Sequence, residues 1–155
     1  MSPLTEVGTV LVILYVTMVA LIDLHTHRIP NELSATAAVL GLIAQVSLSG
    51  VPGLLSALAG AAIGLGIFLP FYLLRAVGAG DVKAMATVGI FLGVQATPLA
   101  AAFTLIAGSI VGVIVLLRRS SASAATGTRR FAYGGAIAAG TFATLVAPAA
   151  VQLQF

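Results

Sequence analysis

The sequence predicts an all-α membrane protein with six transmembrane helices, and three observations predict it. Hydrophobic residues make up 60% of the 155 positions and charged residues only 7%, with a mean hydropathy of +1.17. A water-soluble domain carries charge on about a quarter of its residues. The apolar stretches are interrupted at intervals by short clusters of glycine, proline and polar residues, as helices of roughly 20 residues crossing a bilayer would be. Finally, all seven basic residues fall in alternate interruptions. One membrane-embedded domain over residues 1–155, with no soluble domain, accounts for the whole composition.

The elements follow in order. Leu4 to Leu24 is the first expected helix. Its only early charge is Glu6, where a cleaved signal peptide would carry Lys or Arg, so it is read as retained. The polar stretch from His25 to Glu32 follows; Pro30 drives Ile29 out of helical geometry and Asn31 is suited to cap the second helix, from about Leu33 to Leu48. Ser49 to Gly53 is a turn. The third helix runs from about Leu54 to Leu74, with Pro70 near its end.

Arg75 to Lys83 then breaks the apolar pattern with Gly78-Ala79-Gly80-Asp81. Glycine disfavours helix, so the break is expected to extend through Gly78 and Gly80. The fourth helix, from about Asp81 to Gln95, is short for a bilayer crossing, so either it tilts little and the bilayer thins, or the glycine-rich loop dips below the membrane surface, where irregular backbone is tolerated if it lines a wet cavity. Thr97-Pro98 opens a fifth helix ending near Leu117. A Ser/Ala/Thr/Gly loop with two arginines at each end leads to the sixth, about Tyr133 to Val151.

Six crossings place the loops at 25–32, 75–83 and 118–130 on one side. Arg28, Arg75, Lys83, Arg118, Arg119, Arg129 and Arg130 all lie there. Basic loops stay in the cytoplasm, so this side is cytoplasmic and both termini are expected on the other. The same count sets the only two aspartates, Asp23 and Asp81, at the cytoplasmic face.

Ionisable residues inside membrane segments are costly and point to function. Two carboxylates held together cannot both ionise cheaply and share a proton. One then activates water while the other protonates a carbonyl, which is peptide hydrolysis by an aspartic pair. Unwound backbone at the glycines would lie where an extended substrate could pair with it. Cysteine is absent, which excludes thiol catalysis and Cys-ligated zinc. No serine sits in a nucleophile elbow. His25 and His27 lack further ligands, so no metal and no cofactor is expected. Basic residues are too sparse for a nucleic-acid surface. Two other readings stand beside the peptidase: each aspartate caps a helix end, or the pair relays protons or ions as a carrier. Gly134, Gly135 and Gly140 read as helix-packing positions, and the arginine-flanked loop as a lipid-headgroup contact.

Asp23 with Arg28-Ile29-Pro30-Asn31, followed by Gly78-Ala79-Gly80-Asp81-Val82-Lys83, resembles the type IV prepilin peptidases, aspartic intramembrane peptidases of the GxGD kind. The stretch from Phe131 to Gly140 is similar to that family's last-helix motif, with Ala132 where proline is usual. The resemblance implies Asp23 and Asp81 as the catalytic pair and Gly78 and Gly80 as shapers of the backbone beside Asp81. It implies a prepilin substrate whose short basic leader is cut at the cytoplasmic membrane face, and a glutamate beyond the cut that Lys83 could meet. The larger members with two activities carry a cytosolic insertion near the N-terminus. This sequence has none there and resembles the short, peptidase-only members associated with Flp/Tad-type pili.

Overall fold

The computed structural model describes residues 3–26, 29–119 and 133–146, all but a few of them helical. Arg28, Arg129, Arg130, most of the arginine-flanked loop, the end of the last expected helix and both chain termini lie outside the described residues. The helices are α1 (Pro3–Thr26), α2 (Asn31–Leu73), α3 (Ala79–Arg119) and α4 (Gly134–Val146). Three of them contain stretches long and apolar enough to cross a membrane: Val7–Thr26, Asn31–Leu73 and Ala79–Ile114.

Six separate helices were expected and four are found among the described residues, because two of the expected turns are reduced to one residue each. A straight helix the length of α2 would run about 65 Å, twice the hydrocarbon core. Neither α2 nor α3 is straight. Gly50 (φ 61°, ψ −139°) and Gly93 (φ 69°, ψ −173°) leave helical geometry in the middle of each. Positive φ is strained for any residue with a Cβ, so glycine is the residue that permits both turns.

At each of these glycines the chain doubles back. Residues eight apart in a helix are about 12 Å apart along its axis. Yet a Cβ on Gly53 would strike the carbonyl of Gln45, and the Thr97 hydroxyl reaches the Gly89 carbonyl at 3.5 Å. The turn expected near residue 96 therefore falls at Gly93, and Pro98 lies inside the returning segment rather than opening it. Polar side chains serve the backbone groups at these turns. Gln45 donates to the carbonyls of Ile90 and Phe91 at 3.2 and 2.8 Å, and the Val94 N–H donates to Ser56 Oγ at 3.3 Å.

The second half of α2 packs against the first half of α3 at backbone contact. Gly60 faces the Gly89 carbonyl, and Gly64 faces the carbonyl of Met85. The pairing order makes the two segments antiparallel. Small residues at such crossings let helices approach where lipid supplies no hydrophobic drive.

On α1, Val12, Tyr15, Val16, Val19 and Asp23 form the buried stripe, while Val7, Val10, Leu14, Met18 and Leu21 are exposed on the opposite face. Both sets recur at helical spacing, the inner one toward the bundle and the outer one offering apolar surface to lipid. Asp23 thus belongs to the inward stripe by register alone. Below it, Tyr15 and Ser34 share a hydrogen bond at 3.1 Å, tying α1 to α2.

Candidate active site

The site lies at the end of the bundle where α1 stops and α2, α3 and α4 begin. Asp81 is placed by the break between α2 and α3. The helix ends at Leu73, and Arg75 adopts a left-handed φ of 59°. For a residue other than glycine that costs about 1 kcal/mol. The N–H groups of Arg75, Ala76 and Val77 turn back onto the carbonyls of Tyr72 and Phe71. The chain is then free to start α3, with the Gly78 carbonyl accepting from the N–H groups of Asp81 and Val82. Asp81 Oδ2 in turn accepts the Gly78 N–H at 2.7 Å. An acidic side chain in the first turn that reaches back to the N–H of the capping residue is half of a capping box. The capping reading of Asp81 is therefore correct as local structure, and the cap fixes where the carboxylate points.

This corrects the expectation of unwound backbone at both glycines. Gly80 is helical, and neither Gly78 nor Gly80 has positive φ. Space explains them better than backbone freedom. A Cβ on Gly78 would come within 3.2 Å of Asp81 Oδ2, and one on Gly80 within 3.2 Å of Ile29 Cβ. The unwound stretch runs from Leu74 and ends at Gly78, so Gly80 is already helical.

Asp23 is placed differently. It stands one turn from the C-terminal end of α1, where the helix dipole disfavours negative charge. The compensation comes from across the bundle: Asp23 Oδ2 accepts the N–H of Gly134, the first residue of α4, at 2.6 Å. Helix N-termini present free N–H groups and favour anions. Each aspartate thus rests on the start of a helix, Asp81 on its own and Asp23 on another.

Both carboxylates are buried, Asp23 at 4% and Asp81 at 7% exposure, at the same end of the bundle. Tyr133 is also buried beside them. Each aspartate has one oxygen held by a backbone N–H. Two such groups at close quarters can share a proton, with one free to take a proton from water and the other to give one to a carbonyl.

Asn31 and Lys83 lie exposed at the rim. Pro30, not Asn31, occupies the capping position of α2. The Asn31 side chain is used across the site instead: its Oδ1 accepts from Lys83 Nζ at 2.9 Å. The structure therefore gathers Asp23, Gly78, Gly80, Asp81 and Lys83 at one end of the bundle. It adds Ile29, Asn31, Tyr133 and the Gly134 amide, which lie in the motif stretches but to which the sequence assigns no role in the site. His25 is in the last turn of α1, bonded to the Leu21 carbonyl, and does not join the group. Among the described residues no three of His, Cys, Asp and Glu cluster as metal ligands would.

The sequence model of the type IV leader peptidase family matches residues 10–117. The chain belongs to that family. Membership implies a protease, a hydrolase, and the apolar helices suit a membrane protein. Neither a curated relative nor a solved structure matches. The matched span of this leader peptidase includes both aspartates and the Asn31–Lys83 contact, and ends before Gly134.

Proposed function

We propose that the chain removes the leader of type IV prepilins by aspartic catalysis, with Asp23 and Asp81 as the catalytic pair. The observation that carries the proposal is the burial of both carboxylates at one end of the bundle, each anchored through one oxygen. A capping role alone would account for Asp81 but not for a second buried acid beside it. In the reaction, one carboxylate takes a proton from water as the water oxygen attacks the scissile carbonyl. The protonated partner donates to the carbonyl oxygen. Collapse of the tetrahedral intermediate breaks the C–N bond and returns a proton to the leaving amine.

Six membrane crossings follow if each half of α2 and α3 spans separately. Both termini then lie on the non-cytoplasmic side, and the site lies at the cytoplasmic face of the cell membrane. Arg75 and Lys83 at the site end, with the basic residues elsewhere on that side of the sequence, support this orientation. A basic leader would be cut there. Gly78 and the unwound residues before it offer backbone to an extended substrate, Gly80 keeps that approach narrow over Ile29, and Lys83 stands at the rim to meet a substrate carboxylate. The resemblance to the short members associated with Flp/Tad-type pili points to Flp-like prepilins as substrate.

Co-expression with a Flp-type prepilin tests the reading. Asp23→Asn and Asp81→Asn should each insert normally and leave the leader uncut. Normal processing by either variant overturns the proposal.

A further inference from the structure

We infer that Tyr133-Gly134, at the head of α4, is the positioning element of the catalytic pair, so that α4 completes the site. The inference rests on the dyad reading above and goes beyond it. The family match ends at residue 117. The hydrogen bond that holds Asp23 comes from Gly134, 111 residues away in sequence.

Three features make this contact specific. Gly134 has no room for a side chain: a Cβ there would sit 2.8 Å from Asp23 Cβ, 3.0 Å from Asp23 Oδ2 and 3.1 Å from the Val19 carbonyl. Its neighbour Gly135 has nothing within 4 Å at the same test, so the restriction belongs to one glycine of the pair. Tyr133 locks the dipeptide in place. Its hydroxyl and ring edge cover Gly108 of α3, and its ring meets Phe68 of α2 edge-on at a centroid distance of 6.2 Å. One dipeptide therefore holds Asp23 and packs against three helices.

The Gly134 N–H is available for this because the first N–H groups of a helix have no partner within it. Removing it costs α4 no internal hydrogen bond. Its loss would free Asp23 to rotate away from Asp81 without unfolding the bundle. Gly134 and Tyr133 are accordingly positioning residues rather than catalytic ones.

The test is cleavage of a prepilin by the full-length protein in detergent, with kcat and KM measured separately. Four proteins are compared with the parent: Gly134→Ala, Gly135→Ala, a semisynthetic form in which the 133–134 amide is replaced by an ester, and Asp23→Asn. The ester removes the N–H and adds no bulk, which covers the case in which Gly134→Ala fails to fold. The expected result is a fall in kcat of about 100-fold for the ester form and for Gly134→Ala, with KM within about 2-fold of the parent, and parental kcat for Gly135→Ala. Parental kcat in the ester form, with Asp23→Asn inactive, overturns this inference and leaves the catalytic pair standing. An active Asp23→Asn overturns the pair itself. A fall in the ester form that is entirely in KM assigns the amide to substrate binding and likewise overturns it.

Discussion

The carboxylate of Asp81 closes back on the N–H of Gly78 at 2.7 Å, so one residue both caps α3 and presents an acid to the site. The two roles separate by substitution. Asparagine retains an oxygen that can accept the Gly78 N–H but cannot hold or donate the catalytic proton. Asp81→Asn should therefore keep the parent's thermal midpoint within a few degrees while cleavage falls by about 10³-fold or more. Asp81→Ala should lose activity equally and also lose about 1 kcal/mol of stability with the cap. Unfolding curves in detergent beside prepilin cleavage check both. Equal destabilisation by Asn and Ala would show that the cap is not what holds this turn.

Gly60 and Gly89 meet at their backbones, with no space for a methyl on either. Gly60→Ala or Gly89→Ala should destabilise by about 1–3 kcal/mol through overpacking. Because α3 carries Asp81 at its start, the displacement reaches the site as well. We expect cleavage to fall in step with stability in these variants. Gly66→Ala, where a Cβ meets nothing within 4 Å, should leave both unchanged.

Much of this arrangement is legible in the residues. Apolar length and glycine-marked breaks give an all-helical membrane protein, and the two aspartates stand out because acids are rare in such a chain. The family resemblance rests on Asp23, Pro30-Asn31 and the Gly78–Lys83 stretch, which the structure gathers at one end. What the residues do not disclose is tertiary in origin. Gly50 and Gly93 turn the chain within a single residue, whereas Gly78 and Gly80, which look like the stronger break, serve close packing, and the left-handed residue nearby is Arg75. A propensity argument sees a glycine but not which of its two uses applies. The amide of Gly134 has no side-chain signal at all, and Asn31 resembles a cap until its partner Lys83 is seen.

That Asn31–Lys83 bond, at 2.9 Å, links the start of α2 to the start of α3 at an exposed rim. Solvent-exposed polar pairs of this kind contribute about 0–1 kcal/mol. Lys83→Met and Asn31→Ala should accordingly shift stability little. If Lys83 also meets a glutamate in the prepilin, Lys83→Glu should raise KM for the native substrate, and reversing that glutamate to Lys should restore it. A rise in KM that the reversed substrate does not relieve would confine Lys83 to the contact with Asn31.

Thr104 presents the opposite situation, a polar atom whose loss should help. Its hydroxyl is buried against Gly140 of α4, and among the described residues it is the one buried side-chain oxygen without a hydrogen-bond partner. An unsatisfied buried hydroxyl costs about 1–3 kcal/mol, while valine has nearly the same shape and carries no such penalty. Thr104→Val should raise the thermal midpoint in detergent by a few degrees and leave cleavage unchanged, since the closely packed Thr104–Gly140 contact is kept. Thr104→Leu should do the reverse, because Gly140 already approaches the Thr104 backbone and the added volume would push α4 away from α3. With α4 goes the Gly134 amide, so Thr104→Leu should lower kcat as well as stability. A stabilised protein that still loses activity on Thr104→Val would mean that the hydroxyl has a partner in the working enzyme, such as a water on the path to the catalytic pair.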